Sequence, residues 1–226
     1  MLRYILRWAS AACAIIVAAI STPLSAQITG VAVEAVVSHD GPVGNSDLTG
    51  MTTYRIYAQV TATTDFVGAV YGSAAEEINI SSTTSFFQHP AGGSFGTDLN
   101  GFFIGILPDL NYDTWLTIGL DLAPSDEDEE GISTIGMTAE LNAFETGANF
   151  VLNSEVGGSW FVLPGSTNGY PDENLQVLLA QVTTGGLLSG QLNLQCFIDD
   201  NPFNEQLETY EFGAGAPGCI DSEACN

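Results

Sequence analysis

The stretch Thr53-Tyr-Arg-Ile-Tyr-Ala-Gln-Val-Thr61 sets Tyr54, Ile56, Ala58 and Val60 on one side and Arg55, Tyr57, Gln59 and Thr61 on the other. Successive side chains of an extended chain point to opposite faces, so this alternation is that of a strand with one face buried. The same pattern recurs at Val31–Ser38, Phe66–Gly72, Glu77–Ser81, Gly101–Ile106, Tyr112–Leu120, Asn149–Val156, Ser159–Leu163, Leu175–Thr183 and Leu188–Ile198. Loops rich in Gly, Asn, Asp, Ser and Pro separate these segments, a punctuation that disfavours βαβ units. The expected fold is all-β, an antiparallel β-sandwich or jelly roll. Val177–Thr183, then Thr184-Gly185-Gly186, then Leu188–Gln195 predicts a hairpin whose glycines supply positive φ. Met137, Leu141 and Phe144, spaced i, i+4, i+7, predict one short helix near residues 137–146, with Gly147 where it would stop.

Charge excludes whole classes of function. The chain has 27 Asp and Glu against three Lys and Arg, a net charge of −24. Two of the three cations, Arg3 and Arg7, lie in residues 1–26, which leaves Arg55 alone to face all the acids. Nucleic acid is held by cations that displace its counterions, and one arginine cannot form that footprint. Phosphoryl transfer is disfavoured for the same lack of a cationic clamp. Hydrophobic residues make up 45% and charged ones 13% of the chain, which argues for a folded core in spite of the acidity. Such a surface resists self-association and repels itself less as salt rises, so stability is expected to fall at low ionic strength.

Residues 1–26 run from basic Arg3 and Arg7 through an apolar stretch at about Ala9–Ile20 to the small-residue exit Ser21-Thr-Pro-Leu-Ser-Ala26. That is the layout of a cleavable secretory signal, too short in its apolar part to span a membrane. The expected mature chain is secreted, extracellular or at the cell surface, with no transmembrane segment after cleavage. Its domain is expected over residues 27–212, followed by a Gly- and Ala-rich linker and tail over 213–226. Cys13 leaves with the signal, and Cys196, Cys219 and Cys225 remain. Cys219 and Cys225 form the favoured local disulfide, with a bridge from Cys196 to the tail as the competing arrangement.

The tail, Gly218-Cys-Ile-Asp-Ser-Glu-Ala-Cys-Asn226, resembles the opening of a short G-C-x-D-x-x-A-C-N repeat found in large secreted and surface proteins of bacteria. The resemblance implies a truncated repeat whose next cysteine is missing. The segments Asp113-Thr-Trp-Leu-Thr-Ile-Gly119, Ser159-Trp-Phe-Val-Leu-Pro-Gly165 and Val177–Thr183 are similar to stretches of uncharacterised secreted bacterial β-sandwich proteins. That likeness implies location and fold, and brings no catalytic residues with it.

No catalytic set stands out. Gly92-Gly-Ser94-Phe-Gly96 satisfies G-x-S-x-G, but a nucleophile elbow needs a following helix and a later histidine, and His39 and His89 both come earlier. The histidines and cysteines lack zinc spacing. Calcium is the candidate cofactor: Asp126-Glu-Asp-Glu-Glu-Gly131 begins like an EF-hand loop, yet Met137 stands where its bidentate Glu belongs. A looser calcium site would use Asp121, Asp126, Asp128 and Glu130; the competing reading is a solvated acidic loop. For a neutral glycan, Tyr54, Tyr57, Tyr71, Trp115, Trp160 and Tyr170 would stack on sugar faces if exposed, with Trp160 and Tyr170 as the ligand-binding candidates. The favoured reading is a structural, adhesive or ligand-binding module without catalysis, whose partner is a neutral glycan or a surface protein. A hydrolase of neutral polysaccharide and a calcium-stabilised spacer domain are the alternatives.

Overall fold

The computed structural model describes residues 28–213. The expected signal and the Cys219–Cys225 pair lie outside them. Among the described residues, eleven strands are arranged in two antiparallel sheets. The first sheet has the order β1 (Ile28–Ser38), β2 (Thr52–Val60), β9 (Gln176–Thr184), β5 (Trp115–Leu116). The second runs β6 (Ser133–Ile135), β8 (Gly158–Phe161), β3 (Phe66–Gly72), β10 (Leu188–Phe197), β4 (Ile78–Ser82), β7 (Phe150–Leu152), with β11 (Glu205–Gly213) also paired to β10. The protein is thus an all-β sandwich, as the alternation predicts.

The two sheets meet in one core. Tyr54, Ile56, Ala58 and Val60 of β2 are buried in it against Val67, Val70, Ile80, Phe150, Trp160 and Leu194 of the second sheet. The opposite face of β2, with Arg55, Tyr57 and Gln59, stays partly exposed. In β9 nearly every residue is buried, because both of its faces are covered. Leu179, Ala180 and Val182 enter the main core, while Leu178 joins Leu99, Leu110 and Trp115 in a smaller cluster on the outer side. A register shift between Ile56 and Tyr57 in the β2–β9 pairing lets Leu179 and Ala180, neighbours in sequence, both reach the main core.

The helix α2 spans Thr138–Phe144, and its i, i+4, i+7 face meets the core through Met137, Leu141 and Phe144. Gly147, at φ 82°, follows its last turn.

The expected hairpin of Val177–Thr183 and Leu188–Gln195 is not formed. β9 is flanked by β2 and β5, whereas β10 carries β11 along one edge and β3 and β4 in tandem along the other, so neither strand has a free edge for its neighbour in sequence. Thr184-Gly185-Gly186 therefore carries the chain from one sheet to the other. Glycine is required at 186 for space, since a Cβ there would come within 2.5 Å of Ser82 Oγ and 2.6 Å of Thr84 N.

Two other segments depart from expectation. Gly101–Ile106 contains a single helical turn, α1 (Gly101–Ile104), whose Asn100 side chain accepts from the Phe102 N–H at 2.9 Å. Tyr112–Leu120 is regular only at β5, between a 3₁₀ turn at Pro108–Tyr112 and the irregular path that follows. β11, absent from the expected set, is an edge strand with three acids or amides among its first five residues, and its alternation is weak.

Candidate ligand groove

Cross-strand register draws a row of side chains over the outer face of the first sheet. Glu34 opposes Arg55, Arg55 opposes Gln181, and Gln181 opposes Trp115. Directly opposed residues share a face, so the polar positions of β2 that the alternation turned away from the core become one side of a site. The loop from Leu99 to Leu122 folds over part of this row. There Arg55 Nη2 donates to Asp121 Oδ2 at 2.8 Å and Arg55 Nε to Gln181 Oε1 at 3.2 Å. Gln181 Nε2 in turn donates to the Asn111 and Asp113 carbonyls, each at 3.0 Å. The single cation among the described residues is thereby wired into the sheet and neutralised by Asp121.

Two hollows lie on either side of the Arg55–Asp121 pair and share it. The larger, an open groove of about 430 Å³, is lined by Tyr57, Asn168, Tyr170, Asp172 and Gln176 as well as the pair. The smaller, of about 150 Å³, is lined by Leu99, Ile104, Trp115, Leu122 and Gln181. Asn168 holds the groove wall together: its Nδ2 donates to the Ile118 carbonyl at 2.9 Å, and its Oδ1 accepts from Glu130 N at 3.1 Å. Burial raises the Tyr57 phenol above its ordinary value, with Arg55 and Glu34 beside it acting in opposite senses. Burial, reinforced by a hydrogen bond to Asp200, pushes Tyr170 up to about 12, and its ring stacks edge-on against Phe66. Both phenols are therefore neutral donors at any ordinary pH.

The aromatic candidates divide. Tyr57 and Tyr170 line the groove, while Tyr71 lies apart on the outer face of the second sheet. Tyr54, Trp115 and Trp160 are buried. Trp160, with no exposed surface, has its Nε1 donating to the Thr117 carbonyl at 3.0 Å and its ring edge-on to Phe150, so it is a core residue and not a stacking platform.

The acids proposed for calcium are held by their own chain. Asp121 pairs with Arg55, Asp126 Oδ1 accepts from Asp128 N at 3.4 Å, and Glu130 Oε2 accepts from Leu163 N at 3.2 Å. The Asp128 carbonyl takes the Thr167 N–H at 2.8 Å, which makes the acidic loop part of the groove rim. Among the described residues no group of three or more His, Cys, Asp or Glu side chains is placed to hold a metal ion.

Ser94 is followed by a 3₁₀ turn at Gly96–Asp98 and not by a helix. His89 is engaged elsewhere: its Nδ1 accepts from Ala91 N at 3.0 Å and its Nε2 lies 3.6 Å from Asp109 Oδ2. His39 Nε2 is 2.9 Å from Thr53 Oγ1, and burial lowers its pKa. Sequence reasoning did not find the buried acids beside this loop. Burial opposes ionisation of Asp109, but the Ser46 hydroxyl, the Asn45 N–H and His89 hold its carboxyl below the usual range. Asp113 is fully buried and, despite accepting from His89 N at 2.7 Å, is pushed up to about 7, chiefly by burial and further by Glu145.

No family model matches this chain, and neither curated proteins nor solved structures contain a match to it. The fold class, an antiparallel β-sandwich with an open polar groove on one flank, therefore rests on the chain itself.

Proposed function

We propose that this chain is a secreted or cell-surface β-sandwich module that binds an uncharged glycan without catalysis. The observation that carries the reading is the groove of about 430 Å³, where half-buried Tyr57 and Tyr170 and the polar side chains of Asn168 and Gln176 surround an arginine already neutralised by Asp121. Phenol rings and fixed amide groups suit the apolar faces and hydroxyl rims of sugars. The excess of carboxylates turns anionic ligands away. Export is supported by the basic, apolar and small-residue succession over residues 1–26.

The groove's carboxylates favour binding over hydrolysis. Asp121 is paired with Arg55; Glu129 Oε2 accepts from Ser125 N at 2.7 Å; Asp172 Oδ1 accepts from Asn174 N at 2.8 Å and Gln176 N at 3.0 Å. Each is engaged by the chain's own groups in holding the rim, whereas glycoside hydrolysis needs a pair of carboxyl groups free to act on the sugar. The test is titration calorimetry with cellotriose, xylotriose and chitotriose, beside chromatography of the same sugars after long incubation. Binding that is lost in Tyr170→Ala, with the sugars intact, is the expected result. Absence of binding to every neutral sugar refutes the groove reading, and shortened products refute the non-catalytic one.

A further inference from the structure

Among the described residues, three that are not glycine have a left-handed backbone: Leu175 at φ 60°, Asp199 at φ 51° and Asp200 at φ 54°. All three lie beside one wall of the groove. Leu175 closes the turn after Asp172, its N–H donating to the Asp172 carbonyl at 3.0 Å, and Gln176, which lines the groove, follows directly. Asp199 and Asp200 stand where the chain leaves β10, and the Asp200 carboxylate accepts a hydrogen bond from the Tyr170 hydroxyl. The left-handed region is costly for any residue with a Cβ; Asp enters it singly and not in succession, and for Leu it is an outlier. Such outliers persist only where the surrounding structure over-determines them, and ligand clamps are among the places where they collect.

The step at Asp199 and Asp200 is held from several sides. Asp199 Oδ1 accepts from Thr64 Oγ1 at 3.0 Å, and Asp199 N donates to Asp65 Oδ1 at 3.4 Å. Asp65 is itself fully buried, its other oxygen accepting from Ala62 N at 3.0 Å. Asn201 N closes back onto the Ile198 carbonyl at 2.9 Å. Asp200 is thus carried at a fixed place beside Tyr170, although it lines no part of the groove. The Tyr170 ring has Phe66 edge-on at 5.1 Å, and Phe66 in turn lies 6.3 Å from Phe197, just before this turn. An edge contact alone leaves a ring free to change rotamer; a second hold at the hydroxyl removes that freedom before a ligand arrives.

We infer that Asp200 is a positioning residue of the glycan site, acting through the Tyr170 hydroxyl to fix the ring that walls the groove. This rests on the glycan reading and adds to it how the site is set. With its hydroxyl engaged by Asp200, Tyr170 offers the ligand its ring, which suits the apolar face of a sugar.

The test compares Asp200→Gly, Asp200→Asn, Tyr170→Phe and the double variant Asp200→Gly/Tyr170→Phe with the parent, by calorimetry with cellotriose, xylotriose and chitotriose and by urea denaturation. Glycine relieves the backbone and removes the acceptor, whereas asparagine tolerates the same backbone and keeps an acceptor oxygen. Both remove the same charge, so their difference reports the hydrogen bond and not the field. Asp200→Gly is expected to bind roughly fivefold more weakly, the equilibrium effect of one hydrogen bond, with an unfolding midpoint no lower than the parent's. Asp200→Asn is expected to bind as the parent does. Tyr170→Phe is expected to match Asp200→Gly, and the double variant to be no weaker than either, because both changes break one link. Parental affinity in Asp200→Gly, equal losses in the glycine and asparagine variants, additive losses in the double variant, or a lowered midpoint in Asp200→Gly overturns the positioning role and leaves the groove standing. No binding of any sugar by the parent overturns both.

Discussion

Asp113 gives a stability that depends on pH in a defined direction. Its side chain is fully buried between the loop that carries His89 and the end of α2, where Glu145 is the charged group facing it. Its ordinary value of 3.8 is raised to about 7 by burial, then by Glu145, against hydrogen bonds from backbone groups including His89 N. The folded chain keeps this proton up to about pH 7, whereas the unfolded chain loses it near pH 4. The contribution to stability is therefore complete below about pH 4 and is lost as the pH rises to about 7, beyond which it is flat. At ~1.4 kcal/mol per pH unit the window corresponds to an upper limit of roughly 4 kcal/mol. Asp113→Asn keeps an oxygen to accept from His89 N and has no proton to lose. Urea denaturation of both proteins at pH 4, 5.5, 7 and 8.5 is expected to show the variant gaining on the parent by about 2–4 kcal/mol across that range. Both proteins carry the other acids at the same positions, so most of the mutual repulsion cancels in the difference. Parallel stability curves for parent and variant would refute the assignment of a retained proton to Asp113.

Trp160→Phe is expected to cost roughly 2–3 kcal/mol in urea denaturation, because it strands the Thr117 carbonyl and leaves a void in the main core. In Gly169→Ala the new methyl would come within 2.2 Å of the Phe66 ring, so a lower melting temperature and a disturbed Tyr170 wall are expected, read by calorimetry and by weaker sugar binding. Cys196 is buried, and burial together with Asp65 pushes its thiol up to about 12; a thiol reagent is expected to label the peptide containing it only after denaturant is added. Phe102 and Phe103 are 70% and 51% exposed, so replacing both with Ser is expected to change stability by less than ~0.5 kcal/mol in the same urea assay.

The site was legible in pieces. The alternation around Arg55 already separated a polar face from a core face, and that face proved to be the floor of the groove. Tyr170 was named as one of six aromatic residues that could stack on a sugar, and of those six it lines the groove together with Tyr57. Trp160 was misplaced for a reason the sequence does not contain: one register step decides whether a tryptophan points into the sandwich or out of it, and pairing of Val70 with Trp160 turns it inward. Asp109 and Asp113 read as two more acids among 27, since burial of a loop carboxylate depends on distant segments, here those of Ser46 and His89.

Sequence alone determined the layer type and the short helix, because alternation and i, i+4, i+7 spacing are local properties. Only the tertiary structure decided that β9 and β10 part company at Gly186, and that Arg55, Tyr57, Tyr170 and Trp115 gather on one flank. Strand partnership is a competition for edges among segments far apart in the chain. A periodicity of two records which way a side chain faces, and carries no record of which strand lies beside it.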